Sequence, residues 1–445
     1  MISFYDKYIS FRILFLFFGI TLFNLNSQAL PAFARRENVS CTLCHSNGSA
    51  PHLTKVGYEY RRAGFRFPND IGDLEKDNRA ASLANHISIG AGVDYHVAVE
   101  KALGGSAMSV DNEFDLREVA LWPLIGAFLG NFAVWSEFDM SPQVAATPYR
   151  GPAGTGQGPT SSPSGDVSLS QADLRYVWGS PDSYINARVG FLAPEGFGAS
   201  DQWIDDGAIA LMDTQTAQFN GVDTLVTPLG PMQSSQTGME IGANYKDSHF
   251  TLGIMNGFDG TNGLENGVQS TATPGLMSPE RKGEKDYKAQ FDQFIGDQFA
   301  LTGVYYKGKV SLLDPGNTLV WQNNYSLERL YLTYLAIPNV VDLYAGAGTG
   351  TFDWVNTGNA TVAGHFNSRG GFIGASYYLE NLTLSAHLDK FYYAYGEPVS
   401  PKASQYTLMA GVPYENNIFI FHVIHTDSDI AGLSDDYRLE WRFLF

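Results

Sequence analysis

Apolar and polar residues alternate along many short segments of the chain after residue 85. The last segment, DYRLEWRFLF, shows this alternation most clearly. Successive side chains of a β-strand point to opposite faces, so this strand has one aromatic and apolar face and one mostly charged face. The apolar face carries Tyr437, Leu439, Trp441, Phe443 and Phe445, and the other carries Asp436, Arg438, Glu440, Arg442 and Leu444. The pattern predicts a strand with two chemically different faces.

About sixteen such runs recur along the chain, most of them about ten residues long, which is enough for a tilted strand to cross a bilayer. They lie near residues 86–100, 113–122, 131–140, 168–178, 183–192, 237–246, 249–256, 286–294, 297–308, 327–336, 339–349, 371–379, 382–391, 404–413, 417–426 and 435–445. Bacterial barrels have an even number of antiparallel strands. We therefore predict an all-β fold, a transmembrane antiparallel β-barrel of about 16 strands over residues 85–445. A hydrophobic soluble β domain is the alternative.

The connections between these runs differ strongly in length. GSPD at 179–182 is short, whereas residues 141–167 and 257–285 are long and rich in Gly, Pro, Ser and Thr. Outer-membrane barrels have short periplasmic turns and longer external loops, and the contrast fits that arrangement. The stretch 193–236 exceeds a bare turn, so it is an external loop, a loop folded into the pore, or further strands.

The net charge of −18 adds to this interpretation. An acidic protein attracts cations and disfavours nucleic acid, so we expect no nucleic-acid partner. Four carboxylates, those of Asp94, Glu100, Glu137 and Asp139, fall on the predicted lumen face. They would draw cations inward, or would only tune a water-filled pore.

The N-terminus has the form of a secretory signal peptide over residues 1–29. Lys7 and Arg12 flank the apolar run ILFLFFGITLFNL, and small residues follow before a cleavage site near Ala29. The apolar run is shorter than the roughly 20 residues of a spanning helix. An uncleaved membrane anchor is the alternative, and both interpretations place the rest of the chain outside the cytoplasm.

The two cysteines of the chain stand in one motif, CTLCH, at Cys41, Cys44 and His45. This spacing is typical of one covalently bound c-type haem. Cys41 and Cys44 would attach the haem through thioethers, and His45 would be the proximal iron ligand. Zinc would need further ligands from scattered histidines, and a redox disulfide would stand beside a βαβ pattern; both stay open as alternatives.

The sixth position of the haem iron has several candidate ligands. His52 is nearest in sequence and is preferred, since either His or Met serves in cytochromes. Met108, His86 and His96 are alternatives, and an open or water-filled position is another. The simpler interpretation of His86 and His96, and of His387, is that they are ordinary polar residues of the lumen.

Residues 30–84 form the predicted monohaem cytochrome c module, a small α-helical plug or cap. In APHLTKVGYEYRRAGFRFP, Pro51 near the start and Gly64 with Pro68 near the end delimit one short helix. About 50 residues bury only a small core, and a haem would supply the missing apolar centre. Six side chains would flank it: Phe33, Leu53, Tyr58, Tyr60, Phe65 and Phe67. Alternatively, these side chains pack against the barrel wall.

The chain as a whole resembles the fused monohaem cytochrome–porin family of outer membranes, best known from iron-oxidising bacteria. The likeness rests on the signal peptide, on CTLCH within LPAFARRENVSCTLCHSNGSAPHLTKVGYEYRRAGFRF, and on a barrel ending in WRFLF. Its specific part runs from Pro31 to Phe67. The resemblance implies that the haem module plugs or caps the pore, with Cys41 and Cys44 as attachment residues and His45 as proximal ligand.

The same resemblance implies a function in the bacterial outer membrane. Electrons would pass from extracellular Fe(II), through the haem, to a soluble periplasmic cytochrome or similar carrier, which amounts to a ferrous oxidase activity. One haem does not span an apolar band about 25 Å tall, so a soluble partner must come close. A diffusion porin with a haem plug or sensor, and outward electron transfer to an extracellular acceptor, are the alternatives.

Overall fold

The computed structural model describes most of the predicted barrel and the central part of the N-terminal module. The described residues are 32–45, 53–71, 87–103, 115–141, 166–192, 216–219, 222–225, 236–256, 284–313, 319–337, 340–356, 362–379, 382–394, 402–414, 417–428 and 432–444. The predicted signal peptide, His52, His86 and Met108 lie outside these ranges. The predictions made for them therefore stay predictions.

The N-terminal part is helical. It contains α1 (Ala32–Glu37), α2 (Cys41–Cys44), α3 (Lys55–Arg62) and a 3-10 turn (Pro68–Asp70). Together with their connections over 32–45 and 53–71, these elements are called the helical module below. No helix among the described residues is both long and apolar enough to cross a bilayer.

Helix α3 confirms the predicted short helix. The Thr54 hydroxyl accepts a hydrogen bond from the backbone N–H of Gly57 (3.2 Å), which satisfies one of the open donors of the first turn. The last turn ends where Ala63 donates to the carbonyl of Glu59 (2.8 Å) and Gly64 adopts a φ of 78°. Glycine adopts positive φ without steric cost, so the chain turns sharply at this position.

Strands make up the rest of the described chain. They are β1 (Ile87–Leu103), β2 (Asp115–Leu129), β3 (Phe132–Ser141), β4 (Asp166–Ser180), β5 (Ser183–Leu192), β6 (Thr216–Phe219), β7 (Val222–Leu225), β8 (Gln236–Tyr245), β9 (Ser248–Met255), β10 (Asp286–Ile295), β11 (Phe299–Leu313), β12 (Leu319–Ile337), β13 (Val341–Asn356), β14 (Val362–Leu379), β15 (Leu382–Ala394), β16 (Lys402–Tyr414), β17 (Asn417–Ser428) and β18 (Gly432–Leu444).

Sixteen of the eighteen strands in the described ranges form one closed antiparallel barrel. Except between β5 and β8, strands that are neighbours in sequence pair with each other, and β1 closes the sheet against β18, with Gly92 opposite Leu444. Strand β5 pairs directly with β8. The remaining strands, β6 and β7, form a separate hairpin between them. The long stretch 193–236 therefore contains two short strands outside the barrel sheet.

The barrel is polar inside and apolar outside. Strand β8 illustrates this: Glu240 and Asn244 are buried, whereas Met239, Ile241 and Tyr245 are 54–61% exposed. Strands β4, β5, β9 and β10 alternate in the same way. A soluble domain would bury its apolar face, so this inverted pattern is that of a transmembrane barrel, as predicted.

The two ends of the barrel differ. At one end the strands are joined by turns of two or three residues, among them Gly130–Asn131, Pro181–Asp182, Lys246–Asp247 and 296–298. At the other end the connections include residues 142–165 and 257–283, which lie outside the described part of the chain. The first end is called the short-turn end below.

Candidate functional site

The Cys-x-x-Cys-His motif lies on a single short helix. Helix α2 contains both cysteines, and His45 follows it directly and forms a bridge with the backbone of Leu53. Cys41 and Cys44 are three positions apart on this helix, which is the spacing of the haem motif. Cys44 and His45 are each half-buried.

Helix α2 is fixed to the first turn of α3. The backbone N–H of Thr54 donates to the carbonyl of Cys44 (2.8 Å), and the Thr54 hydroxyl donates to the carbonyl of Leu43 (2.6 Å). Gly57 lies against the carbonyl of Cys44, because a Cβ at this position would come 2.1 Å from the Cys44 oxygen. The absence of a side chain at Gly57 is what allows the two helices to come so close.

The donor set fits a c-type haem. Two thiols on one helical turn, followed at once by an imidazole, supply the groups that such a haem needs within five consecutive residues. In the part of the chain that the structure describes, no three His, Cys, Asp or Glu side chains are grouped to hold a bare metal ion. His52, the candidate distal ligand, lies outside the described residues.

Arg62 anchors α3 inside the barrel. Its Nε donates to the Asn244 side chain (2.8 Å), and its Nη2 donates to the Thr251 hydroxyl (3.0 Å) and the Asn186 side chain (3.4 Å). The Arg62 side chain is 2% exposed. Gly242 makes the space, because a Cβ there would lie 2.5 Å from Nη2. A buried guanidinium is stable only where several acceptors surround it, and β5, β8 and β9 supply them.

Tyr58 forms a second anchor one turn earlier. Its hydroxyl donates to a carboxylate oxygen of Asp292 (2.7 Å), and its ring packs against Phe294 and Ala300. His249 meets the same ring edge to face, with 5.5 Å between centroids. The contact joins an apolar ring to a fully satisfied polar tip, as buried tyrosines require.

An aromatic stack forms the third contact. Phe65 stacks on Trp135 of β3 with 4.8 Å between ring centroids, and Phe33 stacks on Phe65 at 5.3 Å. Tyr60 and Phe67 close the cluster at its edge. The aromatic residues predicted around the haem thus pack against the barrel wall in the described structure, which is the alternative considered from the sequence.

Contacts with the short turns fix the position of the helical module. The Lys55 ammonium pairs with Asp247 (2.6 Å) and lies 3.6 Å from Asp297, each on a different short turn. The Arg66 guanidinium donates to the carbonyl of Gly130 on a third. The module therefore lies within the short-turn end of the barrel, as a plug.

Buried ion pairs cross the inner wall beside the plug. Arg175 donates to both carboxylate oxygens of Asp173 (2.5 and 2.9 Å), and a third guanidinium nitrogen donates to a backbone carbonyl of α3 (3.1 Å). Arg188 lies 4.0 Å from Asp173 and donates to Glu240 (3.1 Å), which also accepts from Lys288 (3.0 Å). Alternating charges satisfy one another here, so this wall is a rigid surface for the module.

Glu59 gives the plug an acid–base property. Burial raises the pKa of its carboxyl group to about 7, with Asp247 and Asp297 adding to the rise and Lys55 opposing it. Burial lowers the pKa of Lys55, but the hydrogen bond to Asp247 and the negative charges of Glu59, Asp247 and Asp297 together outweigh this effect and leave the pKa above its usual value. The docked module therefore binds a proton near neutral pH.

We expect docking of the module to weaken as the pH rises through about 7. The pKa of Glu59 is about 7 in the docked module and 4.5 in the free one. The stabilisation from the protonated carboxyl is therefore complete below pH 4.5 and is lost as the pH rises from there through about 7. Glu59→Gln should remove this dependence and should protect the module at pH 8. Limited proteolysis at pH 5 and pH 8 measures both effects. Equal pH dependence in wild type and variant would contradict the assignment.

Comparisons with known proteins give a structural likeness. No family model matches the sequence, and no curated protein matches it significantly. Among solved structures, it is similar to OmpT lacking loop L8, an outer membrane protein of Vibrio cholerae, at 8% identity over 81% of this chain and 99% of that one, with a TM-score of 0.49. It is also similar to the anion-selective porin from Comamonas acidovorans, at 12% identity over 81% of this chain and 99% of that one, with a TM-score of 0.48. The outer membrane channel DcaP of Acinetobacter baumannii is similar at 9% identity over 81% of this chain and 97% of that one, with a TM-score of 0.47.

Proposed function

We propose that the chain is a porin-type barrel of the bacterial outer membrane whose periplasmic end holds a haem-bearing plug. The apolar outer surface and polar interior support the membrane location. Short turns of such barrels face the periplasm, so the helical module is periplasmic at this end. The observation that carries the proposal is the Cys-x-x-Cys-His helix on a module anchored within the barrel.

In this proposal, each residue of the motif has one role. Cys41 and Cys44 hold one c-type haem covalently, His45 is the proximal ligand, and His52 is the candidate distal ligand. The bound group supplies one-electron redox chemistry. Thr54 and Gly57 hold the motif on α3, and Arg62 and Tyr58 hold α3 on the wall. The chain thereby fixes where an electron enters and leaves.

The main functional proposal is an electron conduit across the outer membrane. Extracellular Fe(II), or another redox partner, would approach through the lumen, and a soluble periplasmic cytochrome would meet the haem at the short-turn end. The net charge of −18 favours the approach of cations. The buried position of α3 suits this role, because a rigid support keeps the distance for electron transfer constant.

A diffusion porin with a haem plug is the second candidate function. The polar inner wall supports it, since Glu240, Lys288, Arg329 and other charged side chains face inward. The barrel architecture alone accounts for this function without electron transfer. The two candidates differ in one measurable property, the passage of electrons rather than solutes.

The decisive experiment uses the full-length protein purified from outer membranes. We expect covalent haem that migrates with the chain on a denaturing gel, and rapid anaerobic reduction of this haem by Fe(II) in stopped-flow absorbance. A Cys41→Ser, Cys44→Ser double variant should lose all haem stain, whereas Thr42→Ser, within the same turn, should keep it. Liposome swelling measures solute flux in the same samples.

The outcomes separate the proposals. Haem reduced by Fe(II) supports the inward conduit. Haem reduced only by a periplasmic cytochrome reverses the direction, whereas haem that no partner reduces, in a barrel that passes solutes, leaves the diffusion porin. Wild-type chain without haem, isolated from cells that mature other c-type cytochromes, would overturn the haem assignment.

A further inference from the structure

A compact patch of side chains lies on the inner wall on β13, β14, β15 and β16. It consists of Tyr344, Phe372, His387, Asp389, Gln405 and Thr407, each at most 8% exposed. The strand register forms two adjacent rows. Phe372, Asp389 and Gln405 lie opposite one another in one row, and His387 lies opposite Thr407 in the next. These six residues are called the wall patch below.

The aromatic members of the wall patch lie close to the sheet. The His387 ring stacks on Phe372 at 5.5 Å with 13° between their planes, and it lies 4.8 Å from the Tyr344 ring. Glycines make this possible: a Cβ at Gly374 would come 2.3 Å from the Tyr344 ring, and one at Gly346 would come 2.4 Å from the Phe372 ring. The rings thus cover the glycines and form an aromatic floor.

Oxygen atoms without partners lie beside this floor. Asp389 Oδ1, Gln405 Oε1 and Thr407 Oγ1 are all buried and have no hydrogen-bond partner among the residues that the structure describes. The other carboxylate oxygen of Asp389 lies 3.2 Å from His387 Nδ1. A buried acceptor without a donor costs about 1–3 kcal/mol, so three of them side by side call for a donor from outside the wall.

The charge of the wall patch specifies that donor. Among the described residues, no lysine or arginine pairs with the Asp389 carboxylate. Cations bind carboxylates through charge-assisted hydrogen bonds, and they also bind to the faces of aromatic rings. Of the described residues beside it, only a protonated His387 gives the carboxylate a counter-charge, and a neutral solute adds none, so a cation with N–H donors fits the combination better.

We propose that the wall patch binds an organic cation. An ammonium or guanidinium group donates to Asp389 and Gln405, while the hydrocarbon part of the solute lies over Phe372 and Tyr344. The site is independent of the haem, since it lies on strands other than those that anchor α3. It gives the lumen a selectivity for cationic solutes over neutral ones of the same shape.

The test uses benzylammonium as the cationic probe and benzyl alcohol as its neutral analogue. Calorimetric titration of the full-length, detergent-solubilised protein should show binding of benzylammonium at least about tenfold tighter than binding of benzyl alcohol. Asp389→Asn keeps the shape and removes the charge, and it should abolish this preference. Asp353→Asn, an exposed carboxylate on β13 outside the patch, is the matched control and should retain it.

Each outcome decides the proposal. Equal affinity of the wild-type protein for both probes, or no binding of benzylammonium, overturns it and leaves water as the partner of the three oxygens. Unchanged preference in Asp389→Asn overturns the assigned residue. If Asp389→Asn does not form a barrel, as judged by the heat-dependent shift in gel mobility, Gln405→Leu is used, and it should weaken benzylammonium binding about tenfold.

Discussion

Replacing Arg62 by methionine releases the helical module from the barrel. The substitution keeps much of the side-chain volume but removes donors to Asn244, Asn186 and Thr251, and leaves these buried groups without their partner. These partners are neutral, and each buried acceptor that loses its donor costs about 1–3 kcal/mol. Since docking depends on a few such contacts, we expect the undocked state to predominate. Protease cleavage within residues 32–71 and single-channel conductance should both rise.

Two further variants define this prediction. Lys307→Met removes one positive charge from an exposed position on β11 and should change neither cleavage nor conductance. Arg62→Lys keeps the charge but loses the planar fork of donors, so an intermediate effect is expected. A protease-resistant module in Arg62→Met would show that Tyr58 and the aromatic stack alone hold the plug.

Replacing Gly57 by alanine disrupts the haem motif although alanine favours helix formation. Alanine is better than glycine in a helix by about 1 kcal/mol, so an isolated α3 would gain stability. In the protein, the new Cβ would lie 2.1 Å from the Cys44 carbonyl oxygen, a backbone atom that moves only together with α2. Overpacking of this kind costs about 1–3 kcal/mol or more, which outweighs the gain in helix propensity. We expect haem content per chain and protease resistance of the module to fall several-fold.

Gly303→Ala is the matched control for this substitution. A Cβ at Gly303 would meet no atom within 4 Å, so the same chemical change should leave the protein unaltered. Haem content is measured by absorbance relative to protein. Gly57→Ala with normal haem content and normal protease resistance would falsify the role given to the contact between α2 and α3.

The barrel was predictable because its signal is local. A strand that faces lipid on one side and water on the other must alternate, and each strand carries that pattern in its own residues. The run predicted at 249–256 corresponds to Ser248–Met255. Strand β12 begins at Leu319, well before the predicted 327. The pattern did not reveal this start because WQNNYS, at 321–326, lacks the apolar alternation. Strands β6 and β7 have four residues each, too few to show a period.

The candidate site was predictable only in part. Haem attachment demands two cysteines and a histidine within one turn, so CTLCH is readable from five residues. The anchors of the module cannot be read from a short stretch of sequence, because they join distant segments. Tyr58 and Asp292, for example, are 234 positions apart. In the sequence, Asn186, Asn244 and Asp292 are ordinary polar residues of a lumen face. A helix with two neighbouring arginines gave no indication that Arg62 would be buried.

The closure of the sheet between β1 and β18 has a consequence for how the barrel assembles. This pairing joins the first and the last strand of the described barrel, for example Gly92 with Leu444, so it carries the largest loop-closure entropy of the strand pairs in that sheet. The helical module contacts β3, β4, β5, β8, β9, β10 and β11, and its helix α1 also contacts β1, one of the two strands of that seam. A growing sheet would curve around the module and bring its free edges towards each other. The plug would then act as an internal template that shortens the search for the final pairing.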